Sequence, residues 1–94
     1  MHKCLIITFS VLSQDDFLRG FIQKNAAKFG LEGTAQFIED GLVKIHACGA
    51  KDEVDNFLDL LHKSAAEKGL EDIEIEPFMK DRDFRGIFRV IGEE

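Results

Sequence analysis

Thr34-Ala35-Gln36-Phe37-Ile38-Glu39-Asp40-Gly41-Leu42-Val43-Lys44-Ile45-His46-Ala47-Cys48 is the stretch that decides the fold. Apolar residues alternate on both sides of Glu39-Asp40-Gly41. Asp-Gly between two alternating runs is a strong hairpin signal, because a tight turn needs residues that accept positive φ. The stretch therefore reads as two short strands, 34–38 and 42–48. Upstream, Leu18, Phe21, Ile22, Ala26 and Phe29 recur at helical spacing, which predicts a helix from Phe17 to Phe29 ended by Gly30. Before that helix, Lys3 to Val11 alternates, with Leu5, Ile7, Phe9 and Val11 on one face. Downstream, Val54, Phe57, Leu58, Leu61 and Ala65 form one stripe of a helix from about Lys51 to about Glu67, ended by Gly69.

Asp72-Ile73-Glu74-Ile75-Glu76 alternates cleanly, and Pro77 places that strand at an edge or ends it. Lys80-Asp81-Arg82-Asp83 reads as a charged turn before a last short strand, Gly86 to Ile91. No linker, repeat or low-complexity segment interrupts the series, so one domain is expected over residues 1–94. The order β-α-β-β-α-β implies an α+β, ferredoxin-like sandwich: an antiparallel sheet, two helices on one face, and a short terminal strand. That fold alone names no function.

Composition excludes some functions. The chain of 94 residues carries a net charge of −6, with carboxylates spread throughout, and has nine Phe with no Trp or Tyr. Nucleic acid and anionic membranes call for clustered Lys and Arg, so neither is expected as a partner. No apolar run is long enough to cross a bilayer, and Met1-His2-Lys3 leads straight into the first strand. A cytoplasmic protein is expected. In that compartment Cys4 and Cys48, which lack metal-ligand spacing, read most simply as free thiols. The topology adds a second expectation. The first and third strands should be antiparallel neighbours, with both cysteines on the outward face, within disulfide reach of about 4.4–6.8 Å between Cα atoms.

Val11-Leu12-Ser13-Gln14-Asp15-Asp16-Phe17-Leu18-Arg19 and Phe29-Gly30-Leu31-Glu32-Gly33 resemble the acylphosphatase signature. Gln14 and Arg19 match its phosphate loop, Asp40-Gly41 with Val43 its hairpin, and Gly49 with Val54, Phe57 and Leu61 its second helix. The resemblance runs over nearly the whole chain. It implies hydrolysis of acyl phosphates, with Arg19 holding the phosphoryl group in a cradle of backbone N–H groups from Gln14, Asp15, Asp16, Phe17, Leu18 and Arg19. A loop at a helix N-terminus aims donors and the positive end of the dipole at an anion. Positioning and charge stabilisation then suffice for phosphoryl transfer, and no cofactor or metal is implied.

The resemblance also exposes departures. The family's water-positioning asparagine falls on Phe37, whose ring cannot bond a water. Adjacent Gln36 points to the opposite face of the strand. Asp15 and Asp16 replace the loop's Gly and Val, and a carboxylate within about 4–6 Å of a phosphate repels it. Ser13 with Asp16 also reads as a capping box that competes for the same amides. Ser64-Ala65 replaces the family's Gly-Pro. A bland reading of Arg19 pairs it with Asp15 or Asp16 on the surface, and the bland reading of Phe37 is core filler.

His46 is expected outward and solvated, His62 has no nucleophile to serve, and His2 sits in a mobile terminus. The outer sheet face should show Ile6, Thr8, Leu42, Lys44 and His46, with Glu74 and Glu76 toward an edge. Three readings stand. The first is an acylphosphatase-like domain with an impaired site, a pseudoenzyme serving as a binding or interaction module. The second is an active acylphosphatase in which Arg19 binds the phosphate and another group orients the water. The third is a partner-binding or homodimerising domain that uses the open sheet face. The implied ligand is a small acyl phosphate or another anion, and the chain is expected as a monomer or weak homodimer.

Overall fold

The computed structural model describes residues 2–12, 16–38, 41–79 and 86–91. Its elements are β1 (His2–Val11), α1 (Asp16–Lys28), β2 (Glu32–Ile38), β3 (Leu42–Ala50), α2 (Lys51–Lys68), β4 (Leu70–Pro77) and β5 (Phe88–Ile91). The strands form one sheet in the order β4-β1-β3-β2-β5. The first four are antiparallel to their neighbours, but β5 runs parallel to β2. The sheet is therefore mixed, not antiparallel throughout. Period-2 alternation specifies the faces of a strand and leaves its direction open, which is why β5 could not be oriented from its sequence.

Both helices pack on one face. Leu18, Ile22 and Ala26 of α1, and Val54, Phe57 and Leu61 of α2, meet Leu5, Ile7, Phe9, Val11, Val43, Ile45 and Ala47 of the sheet, and all of them are buried. These positions fall at i, i+4, i+8 on α1, at i, i+3, i+7 on α2 and at alternate residues on the strands. Phe29 meets Phe57 edge to face with 6.4 Å between centroids, a favoured arrangement for a ring quadrupole.

The chain turns where its residue types permit. Gly69, at φ 73°, takes the left-handed conformation that closes α2, and its N–H bonds to the Ala65 carbonyl. Gly33 sits in β2 at φ 138°, where a Cβ would collide with the His46 carbonyl of β3. Only glycine lets the two backbones approach that closely. Asp52 and Glu53 lie in the first turn of α2 and complement its dipole. Asp55 of the same helix accepts from Lys3 Nζ of β1 at 2.7 Å and from Lys51 Nζ at 3.0 Å. The two lysines hold its carboxyl below the usual carboxylate range, with the hydrogen bond from Lys3 the largest cause.

Cys4 and Cys48 stand directly opposite in the β1–β3 register and form a disulfide, with Cα atoms 4.2 Å apart. The free-thiol reading is thereby overturned. It rested on the compartment, whereas the register brings the two side chains together on the sheet side away from the helices. Cys48 is nevertheless fully buried. His46, expected in solvent, is half-buried and lies edge-on to Phe78 at 5.2 Å. The Phe78 N–H bonds to the Cys4 carbonyl at 3.3 Å, extending the β1–β4 pairing one residue past Leu5↔Pro77. His2, expected in a mobile terminus, is the first residue of β1, paired with Ala50.

Candidate functional site

The ends of β1 and β2, the beginning of β3 and the N-terminus of α1 gather at one end of the sheet. Val11 closes β1, and the Leu12 N–H reaches the Gly69 carbonyl at 3.3 Å, tying the end of β1 to the end of α2. Ile38 pairs with Leu42, and Phe37 with Val43. Leu18 is buried and anchors the first turn of α1 in the core. Helical geometry then fixes the neighbours on either side. Phe17 emerges 68% exposed, and Arg19 is half-buried.

Arg19 reaches across to β2. Its guanidinium carbon lies 5.1 Å from the centroid of the Phe37 ring. Phe37 is itself only 2% exposed, so its ring is fixed by the core while one face supports the cation. A cation over an aromatic face is attracted by the ring quadrupole, by about 0.5–2 kcal/mol depending on desolvation. The structure thus brings together Arg19 and Phe37, two residues separated by most of a helix, a turn and most of a strand. Gln36 is exposed on the other side of β2, between Lys44 and Ile91. It is not available to take over the role of the residue beside it.

The remaining candidates divide. Phe17, Leu18 and Arg19 all fall in the first turn of α1. Gln14, Asp15 and the expected Ser13 cap lie outside the described residues, as do the Asp16 side chain, Asp40 and the charged turn at 80–83. His62 is exposed on α2. Among the described residues, no group of three or more His, Cys, Asp or Glu side chains gathers as metal ligands would. No helix among the described residues is long and apolar enough to cross a membrane.

Lys68 was not singled out by the sequence. Its ammonium lies 4.2 Å from the Phe17 centroid and 4.8 Å from that of Phe21, and its side chain is 15% exposed. The last residue of α2 is thus clamped between two rings of α1. A basic residue in a helix's last turn is common, and only the packing of α2 against α1 marks this one out.

A family profile described as acylphosphatase matches residues 14–90. This chain belongs to the acylphosphatase family. The acylphosphatase of Methanococcoides burtonii is 39% identical over 73 residues, a match that covers 78% of this chain and 76% of that protein. The structure of an acylphosphatase from Coxiella burnetii superposes with a TM-score of 0.81 at 25% identity, over 95% of this chain and 92% of that one. The acylphosphatase from Bacillus subtilis superposes with a TM-score of 0.82 over 97% of this chain and 99% of that one. At 22% identity that second likeness speaks for the fold alone.

Proposed function

We propose that this acylphosphatase-family domain binds a small phosphate-bearing anion through Arg19 and does not hydrolyse acyl phosphates efficiently, so that it serves as a binding module. One observation carries the reading. The guanidinium of Arg19 rests on the ring of Phe37 at 5.1 Å, where an active site of this kind needs a group that bonds water. A hydrocarbon ring neither donates to nor accepts from a nucleophilic water, and the buried Phe37 has no room to swing aside. Misplacing the attacking water costs on the order of 100-fold in rate even when every other group is in position. Arg19, by contrast, keeps the donor edge that recognises phosphate oxygens. The acidic Asp15 and Asp16 beside it in sequence weaken the attraction for the anion.

Titration with inorganic phosphate, followed through backbone amide chemical shifts, tests the binding half of the proposal. The expected result is saturable shifts centred on the first turn of α1 that vanish in Arg19→Ala. Shifts that persist in Arg19→Ala, or none at this turn in the wild type, would remove the anion site from the account.

A further inference from the structure

We propose that the solvent-facing side of α1 is a docking groove for an acidic peptide segment with an apolar anchor, belonging to a partner protein. The groove is separate from Arg19 and does not rest on the anion site. Phe17, Gly20, Phe21, Lys24, Asn25 and Lys28 line a shallow depression of about 560 Å3. These positions recur at three- and four-residue spacing, so they form one stripe along three helical turns, roughly 16 Å long. The stripe flanks the buried Leu18, Ile22 and Ala26: Phe17, Gly20, Lys24 and Lys28 are exposed, while Phe21 and Asn25 are half-buried and Phe21 packs against the core.

Three features distinguish this face from an ordinary solvated one. The first is its exposed apolar surface. Phe17 is 68% exposed, and Leu12, which with Phe17 and Lys68 lines an adjoining depression, is 77% exposed. The second is charge. In a chain of net charge −6, the depression is lined by Lys24 and Lys28 and, among the described residues, by no carboxylate. Among the described residues neither Lys24 nor Lys28 has a carboxylate within ion-pair distance. Lys68 adds a third ammonium, held over Phe17 and Phe21, with Glu67 as its neighbour at 3.6 Å. The third is Gly20. It lies inside the helix, where glycine costs about 1 kcal/mol relative to alanine, and a Cβ there would meet nothing within 4 Å. No intramolecular contact asks for glycine, but an approaching chain gains a flat floor between the two phenylalanines.

Aromatic anchors flanked by lysines complement a segment that presents an aliphatic or aromatic side chain among carboxylates. A lipid surface fits less well. Electrostatic membrane binding draws on clusters of about four to eight basic residues, more than the Lys24, Lys28 and Lys68 of this face.

The test pans a random-peptide display library on the intact protein and measures the selected peptides by fluorescence anisotropy against wild type and Gly20→Glu. Glutamate is a better helix former than glycine, and circular dichroism confirms that the variant is folded. The expected peptides are rich in Asp and Glu with at least one large apolar residue. They should bind the variant roughly tenfold more weakly, as loss of an anchor site does, and resist competition by inorganic phosphate. Lys24→Glu, which leaves the helix and its floor unchanged, should weaken them as well. The proposal is overturned if the selected peptides are not acidic, if they bind Gly20→Glu and Lys24→Glu as tightly as wild type, or if phosphate displaces them. It is also overturned if the face proves to hold a second copy of the chain, seen as self-association abolished by Gly20→Glu, or vesicles of phosphatidylserine and phosphatidylcholine in place of peptides.

Discussion

Reducing the Cys4–Cys48 bond should cost more stability than any single side-chain truncation on the surface. The two cysteines are 44 residues apart in sequence. Opening a loop of that length returns to the unfolded chain an entropy worth about 4 kcal/mol at room temperature on the loop-closure account. The folded state loses little in exchange, because β1 and β3 remain paired from His2↔Ala50 to Ser10↔Leu42. For a domain of this size the loss corresponds to a fall of roughly 15–30 °C in Tm. Urea unfolding of the oxidised protein and of the same protein in a phosphine reductant measures it without any substitution. The slope of the transition should also steepen on reduction, since an uncrosslinked unfolded chain exposes more surface. A loss below about 1 kcal/mol with an unchanged slope would refute the entropic reasoning.

Other consequences follow from particular residues. Phe57→Ala should destabilise the domain by about 3–5 kcal/mol in the same unfolding assay, because the ring is fully buried against Phe29 and leaves a cavity. Gly33→Ala should cost about 3 kcal/mol or more, or abolish folding, since its Cβ would occupy the position of the His46 carbonyl; a neutral effect would mean that β2 and β3 are not in this register. Asp55 has a carboxyl held below its ordinary value of 3.8 by Lys3 and Lys51. Its contribution to stability is therefore present above that value and lost as pH falls through the lower value of the folded state. Asp55→Asn should flatten the acid limb of the stability curve and leave its slope around neutrality unchanged.

The sequence disclosed faces and ends better than neighbours. Leu18, Ile22 and Ala26, and Val54, Phe57 and Leu61, were legible as core stripes because helical periodicity is written in one segment. Gly69 was legible as a cap because few residues other than glycine take a left-handed conformation at low cost. The parallel direction of β5 was not, because no residue in Phe88–Ile91 encodes which strand it joins. Cys4 facing Cys48 followed from topology, yet their bonding was obscured by an assumption about compartment. At the site, Arg19 and Phe37 stood out in the sequence only through the family resemblance. That the two residues touch is a tertiary fact, set by how far the first turn of α1 overhangs β2. Lys68 between Phe17 and Phe21 is another such fact, since it depends on two helices meeting.

Hydrolysis of benzoyl phosphate by the wild type, beside Arg19→Ala and Phe37→Asn, tests the central claim most directly. The account predicts wild-type turnover no faster than that of Arg19→Ala. It also predicts a gain on the order of 100-fold in Phe37→Asn molecules that circular dichroism shows to be folded, as a restored water-positioning group should give. Wild-type turnover well above background that disappears in Arg19→Ala would contradict it, and would make this chain a working acylphosphatase whose water is held by some group other than the residue at position 37.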